Sequence, residues 1–184
     1  MLDLQELDKA RVRWQLGHHL FFGYIQSLII ICSEIKVHFD AGDLVAAREA
    51  IDHATYVMWG VSVTFKLTGG FSQAAYEGYV RPNMFEAAEG FSGLWAYDHD
   101  YLVKKIMRQL KPIFTDPPTE LALAVQKFRQ AFAVMYDSHK FVCDQFESGQ
   151  PSLLMGEEAQ KTAAEMIDTF KRNRLLVLGV PMKQ

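Results

Sequence analysis

The chain has 184 residues, of which 49% are hydrophobic and 22% charged, and its formal net charge is −3. This length and composition suit a single globular domain, residues 1–184, that is long enough to bury a core of its own. The slight negative charge and the lack of a basic stripe argue against nucleic-acid and membrane-surface partners.

The sequence gives no sign of export or of a disulfide framework. The N-terminal residues lack the order of a secretory signal, in which basic residues precede an apolar run. The most apolar run, Leu28–Cys32, is short for a bilayer span and lies within an amphipathic pattern. Two cysteines, Cys32 and Cys143, are too few for a framework of disulfides. We therefore expect a cytoplasmic protein without a membrane partner.

The first part of the chain predicts two long helices joined by a tight turn. The first helix runs from about Leu4 to Phe39 and the second from about Leu44 to Leu67, with apolar residues at alternating three- and four-residue spacing. Asp43 precedes the second helix and is a candidate N-cap. Thr68-Gly69-Gly70 ends the second helix, and a short third helix follows from about Ser72 to Val80.

The rest of the chain predicts three more helices. They run from about Ser92 to Lys111, where Pro112 stops the helix, from about Thr119 to Glu147, and from about Gly156 to Leu178. No alternating β-strand pattern competes with them. The sequence therefore predicts an all-α fold, a helical bundle of about five long helices.

The helical pattern breaks where Arg81 directly precedes Pro82. Proline disfavours the helical conformation in the residue before it, so Arg81 is predicted at a helix end with an extended backbone. Its guanidinium group matches a carboxylate, which makes Arg81 a candidate anion anchor. A surface ion pair at a turn between helices is the alternative. Gly90 and Gly93, further along, allow a close approach of the backbone.

Two of the six histidines replace an apolar residue in the middle of a helix seam. His18 lies on the first helix and His139 on the fifth, and a buried histidine without a partner costs about 1–3 kcal/mol. Gly17 and Gly23 would thin the packing beside one of them, which leaves room for a ligand; satisfied core histidines are an equal alternative. The other four histidines are predicted to lie at least partly in solvent: His19, His38, His53 and His99.

Three blocks, in this order, resemble the tryptophan 2,3-dioxygenase superfamily of haem-dependent aromatic oxygenases. The first extends from His18-His19-Leu20-Phe21 to Ala41-Gly42-Asp43-Leu44 and is similar to a family helix that begins His-Gln-x-Tyr and ends Ala-Gly-Asp-Leu. The second is Tyr79-Val80-Arg81 followed by Gly90-Phe91-Ser92-Gly93. The third is Phe128…His139…Gly149…Ser152, similar to the segment in which a histidine binds haem iron and a glycine-rich loop follows.

The resemblance implies a role for each matched residue. His139 would be the proximal ligand of a b-type haem, and His18 the distal residue that faces dioxygen and substrate. Arg81 would bind the carboxylate of an aromatic amino acid, and Phe91 would lie near the haem. The implied substrate-pocket residues are Trp14, Phe21, Tyr76 and Ser152, of which Ser152 replaces a threonine of the family's Gly-Thr-Gly-Gly loop.

One further pattern concerns Cys143, which follows His139 by four residues. The pair resembles the His-x-x-x-Cys pattern of a tyrosine-hydroxylating branch, in which the cysteine is joined covalently to the haem. A small apolar filler is the alternative role for this cysteine.

The resulting expectation is a haem-dependent oxygenase that inserts oxygen from O2 into an aromatic amino acid or an indole or phenol derivative. We expect it to act in specialised metabolism and to assemble as a homo-oligomer. Two alternatives stay open: a haem-binding or sensing protein without catalysis, and a structural bundle whose seam histidines are satisfied core residues.

Overall fold

The computed structural model describes residues 4–87, 96–147 and 162–180. Phe91 and Ser152, two of the predicted site residues, lie outside these ranges. Within them every regular element is a helix, which confirms the all-α prediction.

The two N-terminal helices have the predicted boundaries to within one residue. Helix α1 spans Leu4–Asp40 and helix α2 spans Leu44–Thr68. Asp43 caps α2, since its side chain accepts a hydrogen bond from the backbone N–H of Ala46. The turn between the helices contains Gly42 at φ +74°, a left-handed conformation that glycine adopts without steric cost.

The helix around Arg81 differs from the prediction. Helix α3 consists of an α-helical turn at Gln73–Ala75, a π-helical turn at Tyr76–Val80 and an α-helical piece at Arg81–Ala87. Arg81 is helical, with φ −60° and ψ −47°, so the predicted extended backbone was wrong.

The reason lies in the π-turn that precedes the proline. The backbone N–H of Arg81 bonds to the carbonyl of Tyr76, five residues back, and such a turn is wider than an α-turn. The width accommodates the ring of Pro82, which would clash with the preceding turn of a regular helix. The side-chain amide of Asn83 donates to the carbonyl of Tyr79 at 2.6 Å and so supplies a donor in the turn that contains the proline.

The second half of the structure contains three helices. Helix α4 comprises Tyr97–Tyr101, a π-turn at Leu102–Ile106 and Met107–Thr115. Helix α5 spans Thr119–Glu147, as predicted, and helix α6 spans Ala163–Val177.

One boundary in this half was predicted wrongly, and two predicted helix starts, Ser92 and Gly156, lie outside the described residues. Pro112 does not end α4, which continues to Thr115 because Ile113 and Phe114 on the next turn are buried in the core. Within the described residues, helix α6 begins at Ala163. The N-cap is Thr162, whose capping box with Glu165 satisfies two backbone N–H groups.

The helices pack so that α2 contacts both α1 and α5. Helices α1 and α2 are antiparallel, and a Cβ added at Gly17 would overlap the side chain of Thr68. Gly17 is therefore needed for this close approach of the two helices. Gly23 has nothing within 4 Å of an added Cβ and is exposed, so it does not thin the packing as predicted.

The main core lies between the C-terminal half of α1, the N-terminal halves of α2 and α5, and α4. It is formed by apolar side chains that are almost fully buried, among them Ile35, Ile51, Leu110, Phe114 and Phe128. A smaller cluster surrounds Tyr76, Val80 and Phe146, where α3 meets the C-terminal end of α5.

Helix α1 also presents apolar residues to its outer side. It contains an 18-residue window of mean hydropathy 1.6, of which 22% is buried. By length and composition alone such a window suffices to cross a membrane, a property that core helices of soluble proteins share. Its inner side packs in the core through Ile25, Leu28 and Cys32. The cytoplasmic location stays a prediction.

Candidate functional site

A cavity of about 300 Å³ lies between the N-terminal half of α1 and the C-terminal halves of α2 and α5. Most of its lining is aliphatic or aromatic, as is typical of ligand pockets. Helices α3, α4 and α6 contribute the remaining walls. Six of the predicted site residues line this one cavity: Trp14, His18, Phe21, Tyr76, His139 and Cys143.

His139 lies on the wall that α5 contributes. Its ring stacks on Phe65 of α2, with 4.4 Å between the ring centroids and 9° between the planes. Burial, with a smaller contribution from the charge of Arg174, lowers the pKa of His139 to about 4. Neither ring nitrogen has a hydrogen-bond partner among the described residues. The imidazole is therefore neutral at pH 7 and offers a nitrogen lone pair, as a metal ligand must.

His18 lies on the α1 wall of the cavity and is held by its own helix. Its Nδ1 is 2.8 Å from the carbonyl oxygen of Trp14, and the two rings meet edge to face with their centroids 5.1 Å apart. Because a carbonyl only accepts, Nδ1 carries the proton and Nε2 is the acceptor of the neutral ring. Burial lowers the pKa of His18, and the bond to Trp14 opposes this effect.

A third histidine, His99, was predicted in solvent and is instead buried and part of the cavity wall. It lies in the first turn of α4, with its ring centroid 6.0 Å from that of Phe21. Its position continues the apolar seam of α4 through Leu102 and Ile106. That three-then-four spacing is visible in the sequence and indicates an inward side chain. His19 and His53 are exposed and His38 is partly exposed, as predicted.

Cys143 lies one turn after His139 on the same side of α5, and its thiol borders the cavity. Burial raises the pKa of this thiol to about 12, and the charges of Glu147 and Asp144 act in the same direction. The thiol is therefore protonated at pH 7.

Arg81 does not line the cavity. It forms an ion pair with Glu147, with 3.8 Å between Nη1 and Oε1, and Glu147 is the residue that reaches the cavity wall. The hydroxyl of Tyr76 donates a short hydrogen bond to the same Oε1. Burial and this bond raise the pKa of Tyr76. Three residues from two helices thus form one polar cluster at the end of an apolar cavity.

Arg174 of α6 lines the opposite part of the cavity and was missed by the sequence analysis. It donates a hydrogen bond to the hydroxyl of Tyr136, and its guanidinium carbon lies 5.7 Å and 5.6 Å from the centres of the Tyr136 and Phe170 rings. It has no carboxylate partner among the described residues. No short sequence motif identifies Arg174 as a cavity residue, because it reaches the cavity only through the packing of α6 against α5.

The described residues contain no group of three or more histidine, cysteine or carboxylate side chains that could hold a metal ion by themselves. What they do offer is a neutral histidine, His139, on the wall of an apolar cavity that His18 and His99 also line. This arrangement fits a planar organic cofactor that brings its own metal and accepts an axial imidazole.

The fold and the site together define an all-helical protein with a largely apolar cavity lined by three histidines. The family model of the SfmD 3-methyl-L-tyrosine peroxygenase matches residues 3–125, more than half of the chain. The chain belongs to this family. His139 and Cys143 lie beyond the matched residues.

A curated 3-methyl-L-tyrosine peroxygenase from Streptomyces lavendulae is 28% identical over 169 residues. The aligned part covers 90% of this chain and 46% of that protein, so the chain spans about half the length of its curated relative. No solved structure matches the chain. The wider resemblance to the tryptophan 2,3-dioxygenase superfamily stays a prediction.

Proposed function

We propose that the cavity holds a haem bound through His139, and that oxygen is inserted there into the ring of an aromatic amino acid in a biosynthetic pathway. The observation that carries the proposal is His139 itself. It is half-buried, neutral and without a hydrogen-bond partner among the described residues, and it borders the same apolar cavity as His18. Membership in a peroxygenase family supports the reaction class.

A bound haem would supply the redox chemistry that activates the oxidant, while the protein would supply binding, orientation and exclusion of water. The sequence alone predicts O2 as the source of the inserted oxygen. The family description names a peroxygenase, which supports a peroxide as the source of oxygen. Comparing product formation under hydrogen peroxide without O2 with that under O2 without peroxide would decide between them.

His18 would act on protons at the other side of the cavity. Its Nδ1–H is committed to the carbonyl of Trp14, which leaves Nε2 as the atom that can accept a proton. Burial lowers its pKa, so the ring is in the accepting form at pH 7. A phenol hydroxyl or a peroxide proton within hydrogen-bond reach of Nε2 would be its partner.

Cys143 would stay neutral unless it joined the cofactor, because a thiol with a pKa of about 12 is not a thiolate at pH 7. Its place one turn from His139 on the cavity wall supports the covalent link implied by the His-x-x-x-Cys pattern. Denaturation in acid followed by extraction would test the link, since covalently bound haem stays with the protein.

Arg81 would bind the substrate carboxylate. Its Nη1 is buried and lacks a hydrogen-bond acceptor among the described residues, which supports the role. We expect Arg81→Ala to weaken substrate binding while the haem spectrum stays as in the wild type. Equal affinity of the two proteins for the substrate would contradict the role.

We also propose a homo-oligomer. Apolar side chains on the outer faces of α1 and α2 support this assembly, because they are exposed in the single chain: Val12, Leu16, Ile30, Val37, Trp59 and Val63. Sedimentation velocity would measure the assembly, and a monomer at micromolar concentration would contradict it.

The decisive experiment is an absorption spectrum after reconstitution with haemin, in the ferric and the dithionite-reduced forms, with and without carbon monoxide. We expect a sharp Soret band that shifts with carbon monoxide and is lost in His139→Ala. His53→Ala, at an exposed histidine of α2, is the matched control and should keep the band. A reduced protein that binds haem but not carbon monoxide would favour the sensing alternative, and no specific band would refute the haem proposal.

A further inference from the structure

Glu147 is the only acidic side chain among the described residues that line the cavity. It ends the described part of α5, and its side chain is 11% exposed. An ionised carboxylate at the edge of an apolar cavity is costly unless charged or polar groups surround it. The hydrogen-bond partners that Glu147 has, and those that it lacks, therefore indicate which ligand group it could bind.

Both protein partners of Glu147 engage the same oxygen atom. Tyr76 donates its hydroxyl proton to Oε1, and the Nη1 atom of Arg81 lies 3.8 Å from Oε1. That separation is too long for a hydrogen bond, so the arginine acts on Glu147 only through its charge. The second oxygen, Oε2, has no hydrogen-bond donor among the described residues. Half of the acceptor capacity of Glu147 is thus unused.

The local field favours a second cation. The carbonyl end of a helix carries partial negative charge, and the last turn of α5 contains no basic residue. Glu147 adds a full negative charge at this end, and Arg81 is the one cation paired with it among the described residues. An ammonium group beside Oε2 would meet both the free acceptor and the excess negative charge.

Arg81, next to Glu147, has a donor atom without an acceptor in the described part of the chain. Its Nη1 is buried without a hydrogen-bond acceptor among the described residues, although it lies 3.8 Å from a carboxylate. A donor and an acceptor that both lack partners and lie this close match one chemical group. The head group of an α-amino acid carries an ammonium and a carboxylate on the same carbon atom.

We propose that Glu147 binds the α-ammonium group of the substrate and thereby restricts the site to α-amino acids. This inference rests on the proposed function, since it names the residue that recognises the amino end of the aromatic substrate. Tyr76 is the positioning residue for Glu147 in this role, because its hydroxyl holds Oε1, while Arg81 binds the carboxylate of the same head group. An acid that lacks the ammonium group would bring its carboxylate beside Glu147 without compensation and would be repelled.

Calorimetric titration of the haem-loaded protein with three ligands tests the inference. The ligands are L-tyrosine, 3-(4-hydroxyphenyl)propanoate, which lacks the ammonium group, and tyramine, which lacks the carboxylate. In the wild type we expect the propanoate to bind at least about tenfold more weakly than tyrosine. Tyramine tests the carboxylate site at Arg81 separately.

Glu147→Gln keeps an oxygen that accepts from Tyr76 and removes the negative charge. We expect tyrosine to bind about ten- to hundredfold more weakly, because a charge-assisted hydrogen bond is lost. The propanoate should bind as well as before or better, so that the preference for the amino acid disappears. Glu120→Gln, at an exposed glutamate in the first turn of α5, is the matched control and should behave as the wild type.

The outcomes separate this inference from the proposed function. An undiminished preference for tyrosine in Glu147→Gln, or equal binding of tyrosine and the propanoate by the wild type, would overturn the role of Glu147 and leave the haem proposal intact. If the variant does not fold, the wild-type comparison decides alone. A haem-loaded protein that binds none of the three ligands would refute the role of Glu147 and the aromatic amino acid as substrate, while haem binding itself is tested by the absorption spectrum.

Discussion

Helices α1, α2 and α5 form two regions that differ in packing density, one filled with side chains and one that lines a cavity. In the packed half, around Ile35 of α1, Ile51 of α2 and Phe128 of α5, the side chains are fully buried and fill the space between helices. In the open half, the same helices present His18, Phe65 and His139 to a cavity of about 300 Å³.

The difference shows how one bundle supports both stability and a site. Burial in the packed half supplies the favourable free energy of folding, at about 25 cal/mol for each Å² of apolar surface removed from water. The open half forgoes part of this gain, since atoms that face a cavity have lost their packing partners. The polar groups of the candidate site, His18, His139 and Glu147 among them, lie in this half.

The largest expected effect compares one phenylalanine from each half. Phe128→Ala should lower the free energy of unfolding by about 3–5 kcal/mol, because it removes a fully buried ring and leaves a void. Phe65→Ala should cost clearly less in the ligand-free protein, since that ring already faces the cavity. Urea unfolding of both variants would measure the difference, and equal losses would show that the open half is packed as tightly as the other.

The next effect is a pH dependence that belongs to the open half. The ordinary pKa of histidine is 6.5, and that of His139 in the folded haem-free chain is about 4. As the pH falls from 6.5 towards 4, the unfolded chain takes up a proton at this residue and the folded chain does not. Above pH 6.5 the titration of His139 does not change the free energy of unfolding. Below pH 6.5 it lowers this free energy progressively, by about 3 kcal/mol at pH 4.

His139→Leu should lack this part of the pH dependence, because leucine does not titrate. Urea midpoints of the wild type and the variant at several pH values between 4 and 7 would provide the measurement. His53→Leu, at an exposed position, is the control. If the urea midpoints of the wild type and of His139→Leu changed with pH by the same amount, the pKa of His139 would not be lowered by folding.

A smaller effect concerns the contact that closes α1 on α2 beside the cavity. Gly17→Ala should destabilise the protein by about 1–3 kcal/mol, because the new methyl group would overlap the side chain of Thr68. Gly23→Ala, on the same helix with open space, should instead stabilise it by about 1 kcal/mol. Thermal unfolding compares them, and the double variant Gly17→Ala/Thr68→Ala should recover part of the loss.

The smallest effect lies at the start of α6, which covers one side of the cavity. Thr162→Ala removes the N-cap and half of the capping box and should cost about 1 kcal/mol. Thr169→Ala, further along the same helix, removes no cap and should change stability little. Chemical denaturation would measure the free energy of unfolding of both variants. An unchanged value for Thr162→Ala would mean that the cap does not contribute to stability.

Much of the fold follows from the sequence because its causes are local. The apolar spacing of α1, α2 and α5 sets which side of each helix is buried, and Asp43 and Gly69 mark ends through contacts within a few residues. The same spacing indicated that His18 and His139 face inward. These features can be predicted without knowing which helix packs against which.

What the tertiary structure decided concerns contacts between distant residues. Whether Arg81 faces a ligand or Glu147 depends on how α3 meets the end of α5, and the π-turn that keeps Arg81 helical overrides the usual effect of Pro82. The sequence identified two of the cavity's histidines by their interrupted seams. The cavity itself, with Arg174 and Glu147 on its wall, is lined by side chains from all six helices, and no local pattern encodes how those helices meet.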